Sequence, residues 1–150
     1  MIQINLDCDT KLREDFLDYF NNPDYTSLSK DELFINYFNS LDKLTNKKPS
    51  KVLLSKEIEN NQFFINKIET INRIKQNFED GNSIELNKRL SKRSTIAHEQ
   101  DLLLNNWKIH HFHLGDTIEN NFYQRTNELL FVKIEDDITY FLDIKEHNNF

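Results

Sequence analysis

The stretch WKIHHFHLG, residues 107–115, places His110, His111 and His113 within four positions, three of the chain's five histidines. Imidazoles exchange protons near neutral pH, so a pair on one surface can act as base and acid. Downstream come Arg125 and Thr126 in QRTNELLF, and then His147 in IKEH. A guanidinium grips a phosphate with two parallel hydrogen bonds and neutralises it. Two imidazoles beside an arginine are the parts needed for metal-free RNA cleavage. One group takes the ribose 2′-OH proton, arginine stabilises the charged phosphorane, and an acid protonates the leaving oxygen. His111, His113, Arg125, Thr126 and His147 are therefore the candidate catalytic residues. Lys88, Arg89, Lys92 and Arg93 in LNKRLSKRS put four cations in six positions just upstream and form a candidate substrate-binding edge. The same run also reads as a solvated basic turn.

Each residue has a plainer reading. His-x-His on a strand can present two ligands to zinc, iron or manganese, with Asp143 or His147 completing the shell. No HExxH motif and no third histidine at fixed spacing accompanies the pair, so no metal and no cofactor is expected. The histidines can also be a packed polar cluster beside Trp107, in a protein that binds another protein and catalyses nothing. Thr126 can serve a loop backbone group, Arg125 can clamp a sheet edge, and Asp143 can be a solvated carboxylate. His98 has no spacing that ties it to the cluster.

The strand carrying these residues alternates. Ile109, His111 and His113 share one face, and His110, Phe112 and Leu114 share the other, which makes His110 a core histidine. ELLFVKIEDDITYFLDIKEH reads as a β-hairpin. Leu130, Val132 and Ile134 share a face of its first strand, and Ile138, Tyr140, Leu142 and Ile144 a face of its second, with EDD as the turn. GDTIENN is a connecting loop. The first half has helical spacing. KLREDFLDYF brings Leu12 and Phe16 together. Ser29 and Glu32 form a capping box ahead of a stripe of Phe34, Tyr37, Phe38, Leu41 and Leu44, expected to be core. KVLLSKEI fits a short strand or an extended crossing. NQFFINKIETINRIKQNFEDG is the clearest helix, with Phe64, Ile68, Ile71, Ile74 or Lys75, and Phe78 inward and Gly81 as its C-cap. Helices followed by strands predict an α+β domain: N-terminal helices packed on a C-terminal antiparallel sheet of three to five strands. The expectation is one domain over residues 1–150, mainly helical to residue 82, with the sheet and the His/Arg cluster in residues 83–150.

Composition bounds the function classes. The net charge is −6, distributed as −5 over residues 1–45, +5 over residues 46–93 and −6 over residues 94–150. An acidic total argues against a non-specific nucleic-acid coat, while the basic middle leaves room for a local phosphate-facing patch. Cys8 is the single cysteine, which excludes an internal disulfide and points to a reducing, cytoplasmic setting. MIQINLDCDTK lacks the basic and apolar regions of a signal peptide. No apolar run approaches the roughly 20 residues that span a membrane.

Residues from Ser83 onward resemble a family of uncharacterised bacterial and phage-associated proteins. The resemblance rests on LNKRLS (residues 86–91), DLLLNNWKIHHFHLG (101–115), RTNELLF (125–131) and IKEH (144–147). It brings no activity, and it implies a further helix beyond the final histidine, so that a chain ending at Phe150 is a short member or part of the domain. A second resemblance is to RelE-like ribonuclease toxins, which also place helices before an antiparallel sheet, with Arg125 and His147 at matching positions. That likeness implies RNA cleavage, RNA as the partner and an antitoxin or other protein as a second one. This chain departs from those toxins in its acidity, its length and its HHxH run. The expectation carried forward is a small metal-independent endoribonuclease, toxin-like or defence-associated, with a binding module or a metal-dependent enzyme as the alternatives. The oligomeric state is not read from the sequence.

Overall fold

A computed structural model describes residues 8–20, 23–45, 47–90 and 101–147. Lys92, Arg93 and His98 lie outside the described residues, and the side chain of Cys8 is likewise not described. The chain divides into two compact units, Met1–Asp42 and Lys43–Phe150. Among the described residues no helix is long and apolar enough to cross a membrane.

The first unit is helical. Helix α1 spans Cys8–Phe20, a 3₁₀ turn Pro23–Ser27, and α2 Lys30–Lys43. The capping box ahead of α2 is present. The Ser29 backbone N–H donates to Glu32 at 2.8 Å and the Glu32 N–H to Ser29 Oγ at 3.3 Å, so two orphan donors are satisfied reciprocally. Arg13 donates to the carbonyls of Leu28 and Thr26 and ties α1 to the turn. Phe16 is buried against Phe34 and Tyr37. The expected core stripe of α2 is corrected here: Leu33 is the fully buried residue, while Phe34, Phe38 and Leu41 remain 40–51% exposed. A unit of two helices and a turn has too few apolar partners to cover a stripe that wide.

The second unit is built on a four-stranded sheet, β1 (Lys51–Leu54), β2 (Ile109–His113), β5 (Glu128–Glu135) and β6 (Ile138–Glu146), in the order β1-β6-β5-β2. A small hairpin of β3 (Ile118–Glu119) and β4 (Phe122–Tyr123) lies apart from it. The helices are α3 (Lys56–Glu59), α4 (Gln62–Asn66), α5 (Ile68–Glu79), α6 (Ser83–Asn87) and α7 (Leu102–Trp107). The architecture is α+β. KVLL forms a strand, parallel to β6, while the other pairings of the sheet are antiparallel. The segment read as one long helix is two, because Lys67 (φ −117°, ψ 12°) interrupts it between α4 and α5. Ile71, Ile74 and Phe78 of α5 pack on the sheet face carrying Phe112, Leu130, Val132 and Phe141. Phe78 meets both Phe112 and Phe141 edge-on, with centroids 5.8 and 5.9 Å away. Gly81 ends α5 at φ 68°, with the Asn82 N–H closing on the Asn77 carbonyl at 2.8 Å.

The face expected for β6 is also corrected. Thr139, Phe141 and Ile144 point into the core, rather than Ile138, Tyr140 and Leu142. A β-bulge explains the change of parity. Phe131 pairs with Asp143 and Val132 with Phe141, so Leu142 is an extra residue. Two helix caps hold the bulge. Ser55 caps α3 and donates its hydroxyl to the Leu142 carbonyl. Asn61 caps α4 and bonds both the Asp143 carboxylate (2.9 Å) and the Ile144 carbonyl (2.7 Å). The GDTIENN loop supplies β3 and the turn of the β3–β4 hairpin, whose turn residues Asn120 and Asn121 sit at φ 51° and 67°. Paired left-handed residues suit a tight hairpin turn, and asparagine tolerates that conformation.

Candidate functional site

Strand β2 separates the three histidines as its alternation dictates. His110 faces the core beside Phe112, with ring centroids 6.2 Å apart. Burial pushes its pKa down to about 4, so it is neutral at pH 7. His111 and His113 are on the other face, opposite Phe131 and Leu129 of β5.

These two differ in their surroundings. His111 Nδ1 lies 3.5 Å from Asp101 Oδ2, with side chains 18% and 13% exposed. Asp101 is held in place because its other oxygen caps α7, accepting the Leu104 N–H at 3.1 Å. Helix α7 then ends at Lys108, in the left-handed region (φ 56°), and the chain turns directly into β2. One carboxylate thus starts the helix and faces the imidazole that follows it. Burial lowers the pKa of His111, the Asp101 charge opposes that, and the charges of His147 and Arg125 reinforce it.

His113 is almost fully enclosed, at 2% exposure. Its Nδ1 accepts the Thr126 N–H at 3.2 Å, so the neutral ring carries its proton on Nε2, which is buried without a hydrogen-bond partner among the described residues. Burial and then the Arg125 charge bring its pKa down to about 4. Thr126 is a brace. Its hydroxyl accepts the Leu114 N–H at 2.9 Å and donates to the Glu128 carbonyl at 2.6 Å, joining the end of β2 to the start of β5. Arg125 is exposed. His147 is exposed at the end of β6, its N–H bonded to the Asn127 carbonyl at 2.7 Å. His111, His113, Arg125 and His147 therefore gather at one end of the sheet, near enough for the charges of Arg125 and His147 to bear on both imidazoles.

The basic segment divides. Lys88 is paired with Glu85. Arg89 is inside the protein at 1% exposure. It donates to the carbonyls of His113 (3.1 Å) and Gly115 (2.9 Å) and stacks 3.6 Å over the Tyr123 ring. Its Nε and Nη2 have no partner among the described residues. The sequence put this arginine on a substrate edge; its guanidinium instead lies beneath the site and shapes it.

Gly115 admits the close approach that completes the site. A Cβ there would stand 2.2 Å from the Gln124 carbonyl oxygen, so only glycine lets the Gln124–Arg125 segment lie against the end of β2. A cavity of about 210 Å³ opens beside His113 and Arg125, walled in part by Tyr123 and Glu119.

No family model, no curated protein and no solved structure matches this chain.

What the arrangement can do chemically follows from its parts. The Asp101 carboxylate stands 3.5 Å from His111 Nδ1, which has no hydrogen-bond partner among the described residues, so what it contributes is a negative charge beside the ring that favours its protonated form. Arg125 offers a guanidinium with no carboxylate partner among the described residues. His113 is fixed by the Thr126 N–H, with its Nε2 buried. Among the described residues no group of three or more His, Cys, Asp or Glu side chains is placed to hold a metal ion. Asp143 is engaged elsewhere, by Asn61 and Lys145. Sequence reasoning missed Asp101, although an aspartate opening the helix that leads into an HHxH strand is a visible signal. Nothing in the sequence marked Glu119 or Tyr123.

Proposed function

We propose that this chain is a small metal-independent endoribonuclease of the toxin-like or phage-defence kind, working in the cytoplasm. The reading rests on one observation: His111, 3.5 Å from the Asp101 carboxylate, lies at the end of the sheet where the exposed Arg125 and His147 also stand. In it, His111 accepts the ribose 2′-OH proton and the 2′-oxygen attacks phosphorus. Arg125 binds the phosphate oxygens as negative charge builds on them. His147, exposed at the end of β6, gives a proton to the departing 5′-oxygen as the P–O bond breaks, leaving a 2′,3′-cyclic phosphate. His113 takes a different part from the one its strand position suggests. Enclosed, with its Nε2 buried, it holds the end of β2 against Thr126 and leaves proton transfer to His111. Thr126 and Arg89 position the loop and the strand end. A protein partner that covers the site, as an antitoxin does, fits the same reading.

The test is cleavage of a mixed RNA pool by the purified chain, with EDTA in one arm and His111→Ala and Asp101→Asn variants in others. Cleavage that survives EDTA, is lost in His111→Ala and falls in Asp101→Asn supports the assignment. Loss of cleavage in EDTA replaces it with a metal-dependent enzyme. A folded wild-type protein that cuts nothing, with or without ribosomes, makes a non-enzymatic binding module the better reading. The enclosure of His113 is the observation that favours that second reading.

A further inference from the structure

Helix α2 carries an apolar face that the first unit leaves open. Phe34, Phe38 and Leu41 follow the i, i+4, i+7 spacing of one helix side, and Ile35 stands three residues before Phe38, so the four side chains are neighbours. They are 40–58% exposed. The aromatic part is held by ring contacts. The Phe34 and Phe38 rings lie 4.7 Å apart, and Phe34 rests edge-on against the buried Phe16 of α1 at 6.0 Å. A contiguous patch of exposed aromatic and aliphatic side chains is the surface that protein interfaces use for their cores.

The charges around this face are mostly of one sign. Asp31 is three residues before Phe34 and four before Ile35, and Asp42 is four residues after Phe38, so a carboxylate stands at each end of the stripe. Among the described residues of the unit, Glu14, Asp15, Asp18 and Glu32 are exposed carboxylates as well. Lys11 is the exposed cation there, and it is paired with Asp15 at 2.9 Å. Arg13 is engaged by the Leu28 and Thr26 carbonyls. This pattern narrows the occupant. A second copy would set carboxylates against carboxylates, and an anionic lipid surface would repel them too. An extended peptide would lay unpaired N–H and C=O groups on a helix face that has no strand edge to pair with them. A helix satisfies its own backbone. One with an apolar stripe between lysines or arginines complements both the side chains and the charge.

We propose that the face of α2 carrying Phe34, Ile35, Phe38 and Leu41 is a docking surface for a cationic amphipathic helix of a partner protein. The proposal is independent of the ribonuclease reading, because it uses no residue of the His/Arg site.

The probe is a synthetic peptide of about 18 residues, long enough to form a helix, with leucines at i, i+3, i+4 and i+7 and lysines between them. It is titrated into the full chain, with backbone amide shifts of residues 31–42 followed by NMR. A second peptide has glutamates in place of the lysines, and a third has the residues of the lysine peptide in scrambled order. The lysine peptide is expected to bind at least about tenfold more tightly than either, and more weakly as salt rises. Ile35→Ser and Phe38→Ser are each expected to weaken it by about fivefold or more. Ile35 is the most exposed of the four residues, and an unchanged far-ultraviolet circular dichroism spectrum checks that its variant is folded. Asp31→Asn combined with Asp42→Asn is expected to remove most of the preference for lysine over glutamate. Equal binding of the three peptides, shifts confined to other residues, or undiminished binding by a folded Ile35→Ser variant would each overturn the proposal. Tighter binding to phosphatidylglycerol vesicles than to the peptide would replace the partner helix with a membrane. Self-association of the chain alone, lost in Ile35→Ser, would replace it with a second copy.

Discussion

Arg89 and His113 hold each other through two hydrogen bonds, one between backbones and one from the Arg89 side chain. The His113 N–H donates to the Arg89 carbonyl at 2.9 Å, and Arg89 Nη1 returns a bond to the His113 carbonyl at 3.1 Å. Strand β2 pairs with β5 along one edge. On its other side, at His113, it is completed by an arginine from the segment after α6. A second bond to Gly115 and the stack on Tyr123 extend the clamp into the loop that carries Arg125.

Arg89→Met leaves the His113 and Gly115 carbonyls without their donor, and should cost about 2–4 kcal/mol of unfolding free energy. Arg89→Lys should recover little of it. An ammonium has no planar fork to serve two carbonyls, and it stacks poorly on a ring. Urea denaturation of the three proteins decides this; a lysine variant as stable as wild type would contradict the clamp.

His110 and His113 both titrate near pH 4 when folded and near 6.5 when unfolded. Between those values the unfolded chain binds more protons, so stability falls as the pH drops from 6.5 toward 4. Each histidine contributes up to about 1.4 kcal/mol per pH unit within that window. Asp116 and Glu85, whose pKa values are lowered by hydrogen bonds, lose their contributions only below the usual carboxylate range, which separates the two effects. Unfolding free energies measured from pH 7.5 to 4.5 should show uptake of about two protons from His110 and His113, with a further fraction from His111, whose pKa burial also lowers, and His110→Gln should remove about one. A flat profile down to pH 5 would show both rings to be solvated.

Gly115→Ala should displace the Gln124–Arg125 segment, since the new Cβ cannot share space with the Gln124 carbonyl. The expected result is a loss of about 2 kcal/mol or more, with amide shifts concentrated at residues 113–126. A variant with native spectra at Gln124 and Arg125 would show that the close approach is dispensable.

Thr126→Val removes a hydroxyl that serves both the Leu114 N–H and the Glu128 carbonyl. The cost should be about 1–3 kcal/mol, and Thr126→Ser should restore most of it. The Ser variant is the control, since it keeps both bonds and loses a methyl group. Thermal unfolding of the pair distinguishes this brace from a residue that contacts substrate, for which stability would be unchanged.

Part of this protein was legible in its local patterns. The α+β order, the capping box at Ser29 and Glu32, the glycine end of α5 and the alternation that buries His110 while turning His111 and His113 the other way all depend on neighbours a few residues apart. Such periods are written directly in a sequence. Three features depended on contacts between distant segments. The bulge at Leu142 is held by Ser55 and Asn61, more than 80 positions away, and it reverses which β6 residues are buried up to Phe141. Arg89 reads as one more cation in a basic run, yet the His113 and Gly115 carbonyls and the Tyr123 ring draw it inside. Asp101 reads as a helix cap, and only the turn from α7 into β2 brings it to His111. The sequence by itself determined the elements and the chemical groups available. Tertiary structure decided which of those groups are enclosed, paired or open to a ligand, because burial and charge pairing are set by the segments that pack around a residue rather than by its neighbours in the chain.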